Sequence, residues 1–275
     1  MPESNKYLAA DPNNLYAHLI EPVSALVRDG GQLILARDDR SLPALQIEKK
    51  SEDNYVTEVD YAVQHLILDR LAELTPGYAV IAEEAEARAF DRHRPTWILD
   101  PVDGTTNLMR DLRLSAVSLA LHADGQMHLG MIYNPYANEF FLAVSGGGSY
   151  MNGQPIRVSS RTRLRDGLIG FGTTPYIRQN AHRTFALLEK IFLQVLEIRR
   201  TGSAAIDLAY VSCGRLDGFF EMMLQPWDYA AGILLIREAG GVITNWQGET
   251  PGLSSGDSIL ASNGDLHQPL LDLIQ

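Results

Sequence analysis

Five short apolar segments separated by turn residues run from residue 78 to residue 144, and this pattern constrains the fold more than any other part of the chain. The segments are "YAVIA", "TWILD", "SAVSLALH", "MHLGMIYN" and "EFFLAV". Between the third and the fourth, Asp124-Gly125 is typical of a two-residue hairpin turn. Because consecutive strands joined by short turns pair antiparallel, we predict a largely antiparallel sheet here.

Helical patterns precede and follow the predicted sheet. Apolar residues at helical spacing predict a helix from the segment after "DPNN" to about Arg37, and Thr57 with Asp60 predicts the capped start of a second helix. Beyond residue 166, strands and helices alternate. The strands are "LIGFG", "IRR", "GFFEM" and "GVIT", and the helices cover residues 181–196, 203–213 and 227–239. This order predicts an α/β (α+β) protein with helix layers between and around two sheets.

The length and composition of the chain narrow the class of protein. It has 275 residues, of which 45% are apolar, and this is enough for a large core. The sequence contains neither an internal repeat nor a low-complexity linker, so we predict one compact unit of two packed subdomains, residues 1–155 and 156–275. A net charge of -11 argues against a general affinity for nucleic acid or for anionic membranes.

Cysteine usage and targeting patterns bear on the compartment. Cys213 is the only cysteine, which rules out an intramolecular disulfide, and its apolar helix indicates a small core residue rather than a nucleophile. The first residues carry no basic-then-apolar signal pattern, and no apolar run approaches the roughly 18 residues that cross a bilayer. We therefore expect a cytoplasmic protein.

The stretch "WILDPVDGTTN" places Asp100 and Asp103 at the end of an apolar segment. Asp100 is predicted at the carboxyl end of a strand, and Pro101 forces a turn across which Asp103 can swing back. Gly104 and the two threonines after it then offer backbone N–H groups to a phosphate. Two carboxylates about 4 Å apart repel by roughly 4 kcal/mol at an effective dielectric near 20, so the pair requires a proton or a divalent cation. The alternative, in which both aspartates only cap a turn and the next helix, stays open on spacing alone.

Other acidic residues and one proline add to this pattern. Glu83 and Glu84 follow the apolar "YAVIA", and Asp228 lies in the first turn of a helix that Pro226 begins. Taken alone, the glutamates are typical of a solvated loop, and Asp228 is typical of a residue that compensates the helix dipole. Haloacid dehalogenase-like phosphatases also carry Asp-Gly-Thr after an apolar strand, but Pro101 stands where their nucleophilic aspartate would be, which disfavours an aspartyl-phosphate mechanism.

Taken together, "DPVDGTTN", the upstream "EE" and the downstream "PWDYAAG" with "EAGG" resemble the signatures of the inositol monophosphatase family. The resemblance extends through "YVTEVD", "GMIYNPYANEFFLAVSGGGSYMNGQPI" and "RRTGSAAIDLAYVSCGRLDGFFEM", and it covers most of residues 49–245. It implies a layered αβαβα sandwich of the inositol monophosphatase and fructose-1,6-bisphosphatase type. It also implies magnesium-dependent, lithium-sensitive hydrolysis of a phosphate monoester by a protein that is often a homodimer.

The family motifs, matched residue by residue, imply two magnesium ions. The implied ligands are Glu83, Asp100 and the carbonyl of Val102 for the first ion, and Asp100, Asp103 and Asp228 for the second. Donor sets made only of oxygen suit a hard ion such as magnesium, and the histidines show no clustered spacing that would indicate zinc. In weaker matches, Lys49 corresponds to a lysine on a mobile loop near the metals, and Asp60 corresponds to a carboxylate behind a third ion.

The same matches imply the substrate contacts and the reaction. The implied contacts are Asp103, Gly104 and Thr105 for the phosphate, and Gly202, Ser203, Ala204, Glu221 and Asp228 for the hydroxyl groups of the substrate. Arg199 and Arg200 lie near this turn in sequence and either add positive potential or form salt bridges at a subunit or subdomain contact. A water activated by Glu83 with the Thr105 hydroxyl would attack phosphorus in line, without a covalent enzyme intermediate.

Within the family, Thr106 bears on the substrate. Nucleotide bisphosphate and histidinol phosphate relatives more often carry lysine there, so the resemblance favours inositol 1-phosphate over fructose 1,6-bisphosphate or adenosine 3',5'-bisphosphate. A hypothesis from another class is a binding role in transcription or ribosome-related complexes. The chain departs from common family residues at Asn54, Ala82, Leu108 and Arg113.

Overall fold

The computed structural model describes residues 15–37, 45–50, 55–85 and 90–275 of the chain, so Asn54 and the segment before residue 15 lie outside the described residues. The helices of the described part are α1 (Ile20–Ala36), α2 (Glu58–Leu74), α3 (Thr105–Met109), α4 (Ala181–Phe192), α5 (Ala204–Ser212), α6 (Pro226–Glu238) and α7 (Gly264–Ile274). Its strands are β1 (Ile47–Lys49), β2 (Tyr55–Thr57), β3 (Ala79–Ala82), β4 (Thr96–Asp103), β5 (Ala116–Ala123), β6 (Gln126–Asn134), β7 (Glu139–Val144), β8 (Gly148–Met151), β9 (Gln154–Pro155), β10 (Leu168–Phe171), β11 (Glu197–Arg199), β12 (Gly218–Leu224), β13 (Val242–Thr244) and β14 (Asp257–Ser262). None of the helices described here combines the length and the hydropathy required to cross a bilayer.

A seven-stranded sheet of order β3-β4-β5-β6-β7-β8-β9 contains the five segments that open the sequence pattern. Strands β3 and β4 are parallel, and every later pair is antiparallel, which confirms the predicted sheet. The β5–β6 connection is the predicted turn at Asp124 and Gly125, both with positive φ. The sheet is buried on both faces: Trp97 and Leu99 of β4 pack into one core cluster, whereas Ile98 between them packs into another.

A five-stranded sheet of order β11-β10-β12-β14-β13 follows in the chain, and three core clusters stack the two sheets into five layers. The first cluster joins α1 and α2 to the seven-stranded sheet. The second places α5 and α6 between the two sheets, and the third joins α4 and α7 to the outer face of the five-stranded sheet. This arrangement is an αβαβα sandwich, so the predicted fold class is confirmed. The division into residues 1–155 and 156–275 stays a prediction.

Helix α6 contacts both sheets and carries one of the predicted metal ligands. Its sequence is apolar on most faces, as expected for a helix buried between two layers. Its backbone rests directly on β6, because a Cβ added at Gly130 would lie 2.7 Å from the carbonyl oxygen of Ala231. The first turn of the helix, with Pro226 at its start, therefore has a fixed position relative to the seven-stranded sheet.

The start of α2 confirms the predicted cap. The Thr57 N–H donates to Asp60 Oδ2 at 2.9 Å, and the Thr57 hydroxyl oxygen accepts the Val59 N–H at 3.2 Å. Both residues of this capping box are buried, so the cap also fixes the Asp60 side chain at one point inside the protein.

Strand β4 continues through Pro101, where the sequence analysis places a turn. The pairing of β4 with β5 shifts register between Asp100 and Asp103 and resumes with Asp103 opposite Ala116. Proline has no N–H to leave unpaired, so it is tolerated at such an irregularity. A bulge within the strand, rather than a turn after it, brings the two aspartates together.

Two other predictions differ from the structure. The helix predicted over 181–196 ends at Phe192, and a turn leads from there into β11. Leu193 and Leu196 extended the helical pattern, yet they are 60% and 64% exposed and do not belong to the core. After residue 245 no strand or helix was predicted, whereas the structure has β14 and α7 there.

Candidate metal and phosphate site

Acidic residues from three parts of the chain meet in a cavity of about 800 Å³. Glu83 follows β3, Asp100 and Asp103 belong to the end of β4, and Asp228 lies in the first turn of α6. Because β3 and β4 are parallel, their carboxyl ends lie at the same edge of the sheet. Oxygen atoms of Asp100, Asp103 and Asp228 all lie within 4.8 Å of one another. The structure therefore brings together the acids that the family motifs imply.

Each of these three aspartates is oriented by hydrogen bonds to one of its two oxygens. Asp100 Oδ1 accepts the Val102 N–H at 3.0 Å, and Asp228 Oδ2 accepts the Gln225 N–H at 2.7 Å. Asp103 Oδ2 accepts two bonds of 2.6 Å, one from the Ser203 hydroxyl and one from the Ala205 N–H. These contacts fix the carboxylate planes and leave the second oxygen of each aspartate to a ligand.

Burial raises the pKa of all four acids in this cluster. It raises the pKa of Glu83 to about 7, against the opposing effect of the Lys50 ammonium, and the pKa of Asp103 to about 6, against the hydrogen bonds from Ser203 and Ala205. The pKa values of Asp100 and Asp228 lie well above the usual range because of burial and of repulsion from the other acids. Without a bound cation, the cluster therefore holds protons in the pH range in which isolated carboxylates are ionised.

The donor set of the cavity fits a hard divalent cation. Its donors are the carboxylates of Glu83, Asp100, Asp103 and Asp228 and the carbonyl of Val102, and the described residues that line the cavity include neither histidine nor cysteine. Positive charge at this point would remove the repulsion and offset the desolvation that raise the four pKa values. The site therefore suits an ion such as magnesium better than zinc.

The segment after β4 forms a cradle beside the acids. Gly104 has φ 94° and caps α3, and a Cβ there would lie 2.7 Å from the carbonyl oxygen of Leu114. Glycine is therefore required for both conformation and space. The N–H groups of Thr105 and Thr106 belong to the first turn of α3, where a helix has no internal acceptors for them. They lie at the cavity and can bind an anion.

The Thr105 hydroxyl oxygen lies close to two acceptors in this cradle, and its single proton goes to one of them. Thr105 Oγ1 lies 3.0 Å from Asp60 Oδ1 and 3.1 Å from the carbonyl oxygen of Val102. Asp60 is itself held by the capping box at the start of α2, and burial raises its pKa. Asp60 thus lies directly behind Thr105, adjacent to the acid cluster.

The predicted substrate turn, residues 202–204, lies against Asp103. Gly202 has φ 86°, and Ser203 caps α5 by accepting the Ile206 N–H at 3.3 Å while its hydroxyl binds Asp103. Gly202, Ser203 and Ala204 all line the cavity. The turn therefore orients a metal ligand in addition to facing the space where a substrate would lie.

Glu221 lies on another wall of the same cavity. Its Oε1 accepts the Thr174 N–H at 2.7 Å, and burial raises the pKa of Glu221 to about 7 against the effects of that bond and of Arg200. A Cβ at Gly172 would overlap the Glu221 carboxylate, so glycine leaves it room. Thr174 has φ 45°, an uncommon value for a β-branched residue. Glu221 and the segment after β10 thus fix each other.

Lys50 and Arg200 line the cavity, whereas their neighbours Lys49 and Arg199 do not. Lys49 ends β1 with its side chain exposed, whereas Lys50 forms an ion pair with Glu84 and lies 3.6 Å from Glu83. Arg199 points to solvent and binds the adjacent carbonyl of Ile198. Arg200 instead lines the cavity. Successive side chains of an extended segment point to opposite sides, so an assignment one residue off selects the wrong face.

Several cavity residues were not found from the sequence. They are Tyr55, Phe171, Tyr176, Arg178, Asp207 and Trp227. Two of them carry a signal that could have been used: Tyr176 follows the carboxyl end of the predicted strand "LIGFG", and Asp207 lies four residues after Ser203, on the same helix face. The other four contain no such indication of where they point.

Comparisons with known proteins agree with this geometry. The chain matches the family described as "Inositol monophosphatase family" over residues 16–275. It is 40% identical over 242 residues to the inositol-1-monophosphatase of Mesorhizobium japonicum, covering 88% of this chain and 90% of that protein. It is 38% identical over 221 residues to the Nus factor SuhB of Escherichia coli K12, covering 80% and 82%. The crystal structure of the extragenic suppressor protein suhB from Bartonella henselae superposes with a TM-score of 0.87 at 34% identity, covering 94% of this chain and 98% of that one.

Proposed function

Since this chain belongs to the inositol monophosphatase family, we propose that it is a magnesium-dependent phosphate monoester hydrolase that prefers inositol 1-phosphate. The observation that carries the proposal is the cluster of Asp100, Asp103 and Asp228, whose oxygens lie within 4.8 Å of one another beside the first turn of α3. Acids that bind a cation next to N–H groups that bind an anion are what a phosphate ester with a divalent cation requires.

The metal would be held by the acids at the carboxyl ends of β3 and β4 and by the start of α6. The proposed ligands are Glu83, Asp100 and the Val102 carbonyl for one magnesium ion, and Asp100, Asp103 and Asp228 for the other. Bound there, magnesium would supply the positive charge that polarises the phosphoryl oxygens and favours ionisation of a water.

The chain's own residues supply the proton transfer and the orientation. Glu83, which borders the cavity beside the proposed metal ligands, accepts the proton of the attacking water. The Thr105 hydroxyl, held 3.0 Å from Asp60 Oδ1, orients that water. The N–H groups of Gly104 and Thr105 bind the phosphoryl oxygens and hold phosphorus for in-line attack. As the water oxygen bonds to phosphorus, the P–O bond to the alcohol breaks and the proton that Glu83 has accepted passes to the leaving alkoxide, so no covalent enzyme intermediate is required.

The opposite wall of the cavity favours a polyol as the leaving group. Glu221, Asp228 and the turn at residues 202–204 present hydrogen-bond acceptors, which match the hydroxyl groups of inositol. Arg200 lines the same cavity, and its positive charge acts on Glu221. A second phosphate would instead meet the negative charge of Glu221 and Asp228.

A substrate panel tests this proposal. We expect inositol 1-phosphate to give the largest kcat/KM, ahead of fructose 1,6-bisphosphate and adenosine 3',5'-bisphosphate, and we expect chelation of magnesium to abolish turnover of all three. Dominant turnover of the adenosine bisphosphate would contradict the substrate assignment. Turnover that persists in excess chelator would contradict the metal assignment.

A binding role in transcription or ribosome-related complexes is a second candidate, and the 38% identity to a protein named Nus factor SuhB favours it. A catalytically silent variant separates the two roles. If Asp103→Asn returns a deletion strain of the source organism to the wild-type phenotype as well as the native chain does, the binding role is supported. Restoration by the native chain alone would favour hydrolysis as the cellular role.

The resemblance also leads us to propose a homodimer. One chain has a mass of 30.4 kDa, so sedimentation equilibrium should give about twice that value. A concentration-independent mass of a single chain would contradict this part of the proposal.

A further inference from the structure

Asp207 is a buried carboxyl group beside the candidate site that the proposed mechanism does not use. It lies in the first turn of α5, is 1% exposed and borders the cavity. Its Oδ1 makes no hydrogen bond to any residue that the structure describes. Its Oδ2 lies 2.8 Å from the hydroxyl oxygen of Thr201. A buried acid with one bare oxygen calls for an explanation, because an ionised carboxylate there would be poorly compensated.

The contacts of Thr201 determine where the protons lie. Thr201 Oγ1 lies 3.1 Å from the Ser203 N–H nitrogen, 3.0 Å from the Ser203 carbonyl oxygen and 2.8 Å from Asp207 Oδ2. A hydroxyl has one proton and two lone pairs. The Ser203 N–H donates to it, and its own proton has two acceptors within reach: Asp207 Oδ2 and the Ser203 carbonyl oxygen, which also accepts the Asp207 N–H at 3.1 Å. All three contacts of Thr201 are hydrogen bonds only when the Thr201 proton goes to the carbonyl and Asp207 brings a proton of its own.

The electrostatic surroundings favour the same protonation state. Burial raises the pKa of Asp207 well above its usual range, the negative charges of Asp103 and Glu221 raise it further, and the Thr201 hydroxyl and Arg200 oppose the shift. The bare Oδ1 is then the carbonyl oxygen of a neutral acid, which costs much less to bury without a partner than a carboxylate does.

The turn held in this way is the one that orients a proposed metal ligand. Ser203, fixed through its N–H and its carbonyl by Thr201, donates its hydroxyl to Asp103 Oδ2 at 2.6 Å. Asn107 supports the turn from the other side by donating to the Thr201 carbonyl at 3.0 Å. A continuous chain of hydrogen bonds thus runs from Asp207 to Asp103.

We propose that Asp207 is a neutral carboxylic acid that donates a hydrogen bond to Thr201 and, through the turn at residues 201–203, positions Asp103 to bind a divalent cation. Asp207 is a positioning residue, since it touches neither substrate nor metal. The inference rests on the proposed function only in taking Asp103 as a magnesium ligand.

Two substitutions of similar volume separate a proton donor from a charged group. Asp207→Asn keeps a donor, its amide N–H, toward Thr201, whereas Asp207→Leu removes it. We expect the dissociation constant for magnesium, measured by calorimetry without substrate, to stay within about 3-fold of the native value in Asp207→Asn and to rise about 10- to 100-fold in Asp207→Leu. Equal weakening in both variants would show that the charge matters and would overturn the proposal, and so would native affinity in Asp207→Leu.

The partner of Asp207 provides a second pair of variants in case Asp207→Leu does not fold. Thr201→Ser keeps the hydroxyl and should keep the native magnesium affinity, whereas Thr201→Val removes it and should weaken binding to a similar degree as Asp207→Leu. Equal affinities of these two variants would contradict the hydrogen-bond chain.

Infrared spectroscopy tests the proton directly. With magnesium saturating at pH 7, the spectrum of the native protein minus that of Asp207→Asn should contain the carbonyl band of one undissociated carboxylic acid, because Glu221, whose pKa burial raises to about 7, contributes equally to both spectra. Identical spectra would show that Asp207 is ionised. None of these measurements contains a phosphate ester, so a chain that binds magnesium but hydrolyses no phosphate would refute the proposed function and leave this inference standing.

Discussion

The buried Asp217 and the buried aspartates of the candidate metal site differ in how many of their carboxylate oxygens accept hydrogen bonds from the protein. Asp217, which is 2% exposed, uses both oxygens: Oδ1 accepts from the Ser159 hydroxyl and from Arg161, and Oδ2 accepts the Leu168 N–H at 2.7 Å. Each aspartate of the candidate metal site is bonded through one oxygen and keeps the other for the cavity. Asp217 therefore joins segments of the fold, whereas each aspartate of the candidate metal site retains an oxygen that can bind a cation.

Of the substitutions that test this comparison, Asp103→Asn should have the largest effect, a loss of catalytic turnover without a loss of fold. In Asp103→Asn the amide oxygen can keep the bonds from Ser203 and Ala205, while an NH2 group replaces the oxygen that faces the cavity. We expect kcat to fall by more than about 100-fold, because substitution of a residue that only orients a metal ligand already costs up to about 100-fold. The far-UV circular dichroism spectrum should not change. Unchanged turnover would refute the assignment of the site.

Removal of the fully bonded acid should affect stability instead of binding. In Asp217→Ala the Leu168 N–H and the Ser159 hydroxyl lose their acceptor, so we expect the free energy of unfolding to fall by about 2–4 kcal/mol in urea titrations. Magnesium affinity of the folded variant should stay native. Asp166→Ala, which breaks an exposed pair with Arg163, is the control and should cost less than about 1 kcal/mol. Equal costs for the two variants would erase the distinction drawn above.

The pH dependence of stability should test the acids of the candidate metal site without any mutation. Because the folded-state pKa values of Asp103 and Glu83 are raised, to about 6 and about 7, their contribution to stability is fully present below the unfolded pKa of about 4 and is lost as the pH rises through these values. Bound magnesium favours the ionised forms. The increase in Tm on adding magnesium should therefore be larger at pH 8 than at pH 5, and an equal increase at both values would contradict the assignment.

Two serines offer the finest test, since each donates a hydroxyl hydrogen bond to one of the compared acids. Ser203→Ala removes a bond to Asp103 and should weaken magnesium binding several-fold, with about 1 kcal/mol lost from the cap of α5. Ser159→Ala removes a bond to Asp217 and should lower stability by about 1 kcal/mol without changing magnesium affinity. Weakened magnesium binding in both variants would contradict separate roles for the two acids.

The fold was predictable where local patterns decide it. The hairpin at Asp124-Gly125 and the cap at Thr57 follow from local backbone conformation, and β4 follows from a short apolar run; short windows of sequence contain all three signals. The predicted end of the helix at residue 196 was wrong, because Leu193 and Leu196 continue an apolar pattern but lie on the surface. Local periodicity does not tell whether an apolar residue meets a core.

The candidate site was predictable only as far as motifs name its members. The acids of the cluster match family motifs, but the choice of Lys50 over Lys49, and of Arg200 over Arg199, depends on which face of an extended segment turns inward. Asp207 matches no metal motif, and its place follows from hydrogen bonds that only the folded turn creates. Sequence thus identifies ligands more readily than the residues that hold them.

The close contact between β6 and α6 has a consequence for how this protein can change over evolution. At Gly130 the two backbones touch without a side chain between them, so the distance from the seven-stranded sheet to the start of α6 is set by main-chain atoms. Exchanges of neighbouring apolar side chains can be absorbed around this point without moving Asp228. Any side chain at position 130 would push the helix away and separate Asp228 from its partner acids. A position that touches no ligand is thereby under the same constraint as the metal ligands themselves.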